Sequence, residues 1–430
     1  MSLLESASLI LTPNGYKSGK LYSIVPSSGN GDLTFTRATS ASRTNSSGLI
    51  ENVLTGVPRL DYSGSIPSIL LEPQRTNLNT YSSTFTNWNK ISVTPILNSI
   101  ILSPNGTADS YKISRDSESV NSYISKPSTS TSNTIFTATI YAKLGDVSTN
   151  FGLRLQGAYP NRGDALFNLQ TGALIGVANG GTNTDTSSTI KSVGNGWYRC
   201  SVTTTFATSI TNLTTVISPT AVTSISGFEQ LDGALSNCYV WGSQMEVGSY
   251  ATSYIPTTTS AVTRNLDDIS KTGVSTDILN PLEGTFYVEI SALANDLTAR
   301  IISINDGTDW NNIQIQFSSV SNTIRLDTYG QTGPTTSTNF RSAVTVSNTT
   351  TFHKCLIKWG AGGIFGYVDG VKYTLGYAAG TVGGSGIPTA LNRIDFRQYY
   401  GGNPFYGKCK GMQIYKTALT DAECASLTTL

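Results

Sequence analysis

Few side chains in this 430-residue chain are suited to making or breaking bonds. There is one histidine, His353, so a hydrolase triad would have a single available base and a histidine zinc site would have no ligand set. His353 opens the strand-like run His353-Lys354-Cys355-Leu356-Ile357-Lys358-Trp359, which favours a structural imidazole over a catalytic one. No Gly-x-Ser-x-Gly stretch has a strand-to-helix setting. Gly15-Tyr16-Lys17-Ser18-Gly19-Lys20-Leu21 is one residue short of a phosphate-binding loop and ends in Leu where Ser or Thr must reach magnesium. The glycine-rich run Gly380–Gly386 has neither a preceding buried strand nor a following helix, so it also reads as a plain loop. Cys200, Cys238, Cys355, Cys409 and Cys424 are scattered without a Cys-x-x-Cys pair and read as unpaired core thiols.

Carboxylates and aromatic rings are the remaining material. Asp306, Asp309, Asp327, Asp369 and Asp395 lie in the C-terminal third, and acids distant in sequence can meet in a fold. A carboxylate pair for glycoside cleavage therefore stays an open alternative. Asp306-Gly307-Thr308-Asp309 offers oxygens to Ca²⁺ but lacks a dense ligand loop, so no metal and no cofactor are expected. Sugars are held by aromatic faces against their C–H surfaces and by amides or carboxylates on their hydroxyls. Two stretches offer this chemistry: Trp310 with its neighbours Asp309, Asn311 and Asn312, and Tyr399-Tyr400-Gly401-Gly402-Asn403-Pro404-Phe405-Tyr406. The candidate ligand-binding residues are Trp310, Asn311, Tyr399, Tyr400 and Asn403, and no residue is assigned a catalytic role. The competing reading is strand-end packing, with Phe405 or Tyr406 starting the strand that leads to Met412 and Ile414.

The elements that must carry these residues are strands. Charged residues are 13% of the chain, about half of the ~25% usual for soluble domains, and the net charge is +1. Polarity comes instead from 54 Ser and 59 Thr, with 41 Gly punctuating them. Thr favours strands, whereas Ser, Gly and Asn favour turns. No basic run suggests nucleic acid, and no apolar stretch approaches membrane-spanning length. The N-terminus lacks the pattern of a signal peptide, so synthesis in a cytoplasm is expected.

Along the chain, residues 1–74 are short extended pieces interrupted every few residues by Gly, Pro and Asn, too broken to form a core of their own. Residues 75–262 carry period-two runs. One is Ile135–Leu144, with Phe136, Ala138, Ile140, Ala142 and Leu144 on one face. Residues 263–430 repeat the rhythm in Phe286, Val288 and Ile290, and in Ile313, Ile315 and Phe317, which alternate with two glutamines. Asp369-Gly370 is a type I′ hairpin signal, and Thr420-Asp421-Ala422-Glu423 is a capping box for one short C-terminal helix, with Leu419 and Cys424 as its staple. The expected fold is all-β: an extended N-terminal segment followed by two antiparallel β-sandwich (jelly-roll) domains.

Three sets of residues carry a resemblance. Phe35–Val53, Pro58–Tyr62 and Leu70–Leu78 resemble a segment of tailed-bacteriophage fibre or spike proteins. Trp241–Gly248 and Thr252–Thr257 are similar to the end of a carbohydrate-binding-like sandwich that often follows it. Tyr367–Gly370 and Ile414–Glu423 resemble a laminin-G or concanavalin-A-like jelly roll. The resemblance implies a structural virion protein, a head or tail fibre, that is a homotrimer on the virion surface. It would be anchored to capsid or tail proteins through residues 1–74 and would meet bacterial surface glycans with its β-domains. It implies neither nucleic-acid nor membrane partners, and no enzymatic activity. The alternatives are a virion-associated glycan hydrolase or lyase, and a decoration protein without a ligand.

Overall fold

The computed structural model describes residues 3–64, 66–117, 121–147, 150–228, 234–333, 336–378 and 383–430. Met1, Ser2 and residues 380–382 of the glycine-rich run lie outside them. The chain is all-β, with the short helix Asp421–Thr428 near its end. It forms two compact units. One takes residues 3–40, 53–73 and 266–430, and the other takes residues 41–52 and 74–265.

The first unit is a sandwich. In one layer Gly284–Ala292 lies between His353–Trp359 and Gly407–Tyr415, and the hairpin of Phe365–Val368 and Val371–Thr374 extends the edge. In the other layer the order is Asp268–Thr272, Arg393–Asp395, Arg300–Asn305, Asn312–Phe317, Thr323–Gly333 and Thr336–Thr345. Period two decides which side chains meet: Phe286, Val288 and Ile290 of one layer and Ile302, Ile304, Ile313, Ile315 and Leu326 of the other share one apolar cluster. Asp369 and Gly370 have φ of 51° and 82°, the left-handed pair that a type I′ turn requires.

Residues 1–74 do not stand apart. Leu9–Leu11 pairs with Met412–Ile414, and Ser68–Leu71 pairs with the start of Gly407–Tyr415. Lys20–Val25 passes to Leu33–Thr36, which pairs with Asp268–Thr272 in the other layer. The Leu9–Lys17 and Lys20–Val25 hairpin therefore links both layers and places Leu9, Leu11, Leu21, Leu33 and Phe35 in the common core. Residues 3–40 and 53–73 share the core of the C-terminal part of the chain, whereas residues 41–52 belong to the second unit.

On the outer face of the first layer, Tyr287, Leu356, Tyr367 and Tyr415 form a second apolar cluster with Leu419 and Cys424. The helix Asp421–Thr428 covers it. Thr420 and Glu423 form the reciprocal capping box. Asp421 takes Lys358, Lys372 and the Tyr367 hydroxyl, and these hold its carboxyl well below the usual carboxylate range.

The second unit is built on two long strands, Tyr123–Leu144 and Trp197–Thr220, paired along most of their length. Their 135–144 and 197–205 parts run beside Asn237–Val247 and Thr184–Ser192. Their remaining parts run beside Asn89–Ile91 and Asn150–Gln156, with Arg162–Asn168 and Ala173–Gly180 beyond. Phe136, Ala138, Ile140, Phe151, Phe167, Val202, Ile217 and Val240 fill the core between them. Tyr123–Leu144 extends 12 residues beyond the start of the expected Ile135–Leu144 run. That extension is rich in Ser and Thr, so no apolar alternation marks it as a strand. The five cysteines are buried free thiols in both units, and burial pushes them up from the usual thiol range, Cys409 to about 12.

Candidate functional site

Strand pairing in the second layer of the first unit sets out a polar face opposite the core. One row across the strands reads Arg393, Asn305, Asn312, Tyr329 and Asn339, and the next reads Asp395, Ser303, Gln314, Asp327 and Arg341. Asp327 accepts from Gln316 Nε2 (2.7 Å), Arg325 Nε (2.7 Å) and Arg341 Nε. Asp395 accepts from Asn305 Nδ2 (2.9 Å) and pairs with Arg393. Asn312 donates its Nδ2 to the Asp309 carbonyl (3.2 Å), yet its Oδ1 has no partner although the residue is only 1% exposed. A buried amide oxygen without a donor is an unmet hydrogen bond.

Two loops meet beside this row. The first, 306–311, joins Arg300–Asn305 to Asn312–Phe317. Asp306 accepts from Thr308 N (2.9 Å), Thr308 Oγ1 (2.6 Å) and Asn311 Nδ2 (2.9 Å), so its oxygens tie the loop to itself. Asn311 is buried. Its Nδ2 also reaches Gln331, and its Oδ1 accepts from Thr389 N (2.7 Å). This amide is spent on fixing the loop. Trp310 lies half-buried in the same loop. Among the described residues no group of three or more His, Cys, Asp or Glu side chains is placed to hold a metal.

The second loop is the 398–403 turn, closed by Gln398 N to the Gly402 carbonyl (2.9 Å). Asn403 is exposed at φ 45°, donates to Gln398 Oε1 (2.8 Å), and its carbonyl accepts from Ile301 N (3.2 Å). Tyr399 and Tyr400 pack edge to face, 4.7 Å between centroids. A Cβ on Gly402 would lie 2.2 Å from the Tyr400 ring, so only glycine lets that ring fold over the turn. Tyr400 is 60% exposed. Burial, then the neighbouring Asp309 carboxylate, push the Tyr399 phenol up to about 12, and Tyr329 is raised by burial and Asp327. Asp309 thus brings the Trp310 loop and the tyrosine turn together. Trp310, Tyr399, Tyr400 and Asn403 are left with accessible surface, while Asn311 is buried in the first loop. Phe405 is core, as the packing alternative allowed, stacked on Phe317 and edge-on to Phe396.

Sequence reasoning named Asn312 only as a neighbour of Trp310 and Gln314 only as one of two alternating glutamines, and it did not single out Tyr329. The glutamines alternating with Ile313, Ile315 and Phe317 were the available signal, since a strand with one apolar face must show the other to something polar. His353 lies away from this chemistry by its contacts. Its Nδ1 is 2.6 Å from Asp369 of the type I′ turn and its Nε2 is 3.0 Å from the Asn348 carbonyl.

Several residues of the recognisable N-terminal stretches are buried polar ties. Arg37 Nη1 donates to Asp267 (3.0 Å), and Arg59 bridges Asp267 and Glu72, the latter at 2.6 Å. These four side chains are buried in the first unit. In the second unit Asn77 Nδ2 donates to the Ser243 and Ile255 carbonyls, and its Oδ1 accepts from Asn79 N and Met245 N. Gln244 and Glu246 hold the 252–255 stretch, with Ile255 N on Gln244 Oε1 (2.7 Å) and Thr252 N on Glu246 (2.8 Å).

No family model matches the chain, and no curated protein matches it. Among solved structures it is similar to the Ruminococcus gnavus IT-sialidase CBM40 bound to α2,3 sialyllactose. The identity is 15% with a TM-score of 0.27, over 34% of this chain and 83% of that one. It is similar also to domain 4 of AbnA, a GH43 extracellular arabinanase from Geobacillus stearothermophilus in complex with arabinotriose. Here the identity is 11% with a TM-score of 0.26, over 42% and 84% of the two chains. A third is mouse laminin α1 chain, domains LG4-5, at 8% identity and a TM-score of 0.21, over 66% and 82%.

Proposed function

We propose that this chain is a glycan-attachment protein of a tailed-bacteriophage particle, a head or tail fibre or spike that binds bacterial surface sugars without cleaving them. The observation that carries the glycan part is the joined pair of loops: exposed Tyr400 with half-buried Tyr399 and Trp310 beside Asp309, near the buried amides Asn311 and Asn312. Aromatic faces and fixed polar groups on rigid loops are the elements of sugar recognition. The solved neighbours whose printed descriptions include sialyllactose or arabinotriose are consistent with it.

Binding is favoured over cleavage because Asp327 and Asp395 are engaged by arginines and amides. The acid–tyrosine pair of Asp309 and Tyr399 has its phenol raised, which suits a hydrogen-bond donor and not a nucleophile. The particle assignment rests on the resemblance of Phe35–Val53, Pro58–Tyr62 and Leu70–Leu78. Exposed Ile24, Leu54 and Ile66, between and before those stretches within residues 1–74, offer apolar contacts for capsid or tail proteins. A homotrimer on the virion surface, assembled in the host cytoplasm, would multiply weak sites through effective concentration.

The test uses the full chain on a glycan array and on host cells, beside a Tyr399→Ala/Tyr400→Ala double variant. Binding by the parent protein with loss in the variant is expected. No binding above an unrelated β-sandwich, or release of reducing ends from a bound glycan, would overturn the reading.

A further inference from the structure

The second unit holds an open groove of about 880 Å³, formed where Tyr123–Leu144 and Trp197–Thr220 pass each other beside the 157–158 loop. Among the described residues no Asp, Glu, Lys or Arg lines it. Ser128, Thr129, Thr211, Asn212 and Thr214 bring hydroxyls and one amide, while buried Leu213 and half-buried Leu78 add an apolar patch. The ladder between the two strands shifts register between Thr129 and Asn133, so 130–132 drop out of strict pairing at this point. The volume falls within the ~300–1,000 Å³ of small-molecule sites.

We infer that this groove is a second, separate binding site for a neutral oligosaccharide. A chain of uncharged sugars presents alternating hydroxyl edges and C–H faces, which match hydroxyl and amide walls around an apolar patch. An anionic sugar would find no cation to compensate its lost hydration, and a long apolar partner would strand the hydroxyls without bonds. The site shares only its ligand class with the C-terminal loops. Its residues belong to the other compact unit, so the two can be inactivated one at a time.

The experiment titrates the full chain with maltohexaose, cellohexaose, chitohexaose and hexagalacturonate, read by protein NMR shifts or calorimetry. Three variants are compared: Ala158→Trp, which fills the groove from an exposed loop position, Thr129→Arg, which places a charge in it, and Tyr400→Ala. At least one neutral hexamer is expected to bind with Kd of roughly 1 mM, and hexagalacturonate not to bind at the groove. Affinity should change less than about twofold between about 50 and about 500 mM salt, because no charge is there to screen. Ala158→Trp and Thr129→Arg should each weaken binding at the groove about tenfold with unchanged thermal unfolding, and Tyr400→Ala should weaken binding at the C-terminal loops only. The inference falls if no neutral hexamer binds, or if both groove variants bind as the parent does. It falls also if the groove variants change the oligomer mass instead of sugar affinity, since the groove is then a subunit contact. Sugar binding lost only in Tyr400→Ala would sink the groove and leave the C-terminal reading standing.

Discussion

The two units fasten the recognisable N-terminal stretches with different kinds of polar tie. In the first, the acidic and basic side chains Arg37, Arg59, Glu72 and Asp267 are buried against one another. In the second, the ties around Asn77 are amides and hydroxyls: Asn77 and Gln244 bond backbone groups, and Glu246 is held by Thr252 and Gln244, while the buried cluster of Arg154, Arg162 and Asp164 lies elsewhere in that unit. A buried ion pair gains little over an apolar replacement, but losing one member leaves an uncompensated charge. A buried amide bonded to backbone costs less to lose, because what is stranded is neutral. Both devices join chain segments far apart in sequence, and the charged one is the more fragile to single substitution.

That contrast can be broken most directly at Arg59. Arg59→Ala should destabilise the first unit by about 3–5 kcal/mol, seen as an early separate transition in calorimetry, with the second unit's melting unmoved. Asn77→Ala should cost the second unit about 2–3 kcal/mol. Equal losses in both variants would remove the distinction between charged and neutral ties. Tyr400→Ala serves as the comparison outside either network. It should lower glycan affinity about three- to tenfold and leave both melting transitions in place. The smallest effect is expected at Asp421, whose carboxyl is held low by Lys358, Lys372 and Tyr367. A depressed carboxylate stabilises above its unfolded value of 3.8 and loses that contribution as pH falls towards its folded value. Asp421→Asn should therefore flatten the acid limb of helix stability below about pH 4, as followed by hydrogen exchange of Ala425–Thr428.

Much of this architecture was legible where one residue type dictates one geometry. Asp369-Gly370 specified its turn, Thr420 and Glu423 their cap, and the alternation of Ile313, Ile315 and Phe317 its buried face. The partner of residues 1–74 was not legible, because pairing such as Leu9–Leu11 with Met412–Ile414 spans some 400 positions and leaves no local trace. The candidate loops were found by their aromatics. Their support was not, since Asn311 resembles a ligand contact until its bonds to Asp306, Gln331 and Thr389 are known. Arg37 and Arg59 drew notice only as parts of a familiar stretch, and their burial could not be read from neighbours that are short, polar and broken by glycine.

The hairpin of Leu9–Lys17 and Lys20–Val25 also sets a timetable. Its partner strand Gly407–Tyr415 is made only after the second unit, whose residues end at 265. Translation would therefore complete the second unit while Leu9–Leu11 still lacks that partner strand. A nonsense codon near residue 400 would then leave Leu9–Leu11 without its partner and spare the second unit.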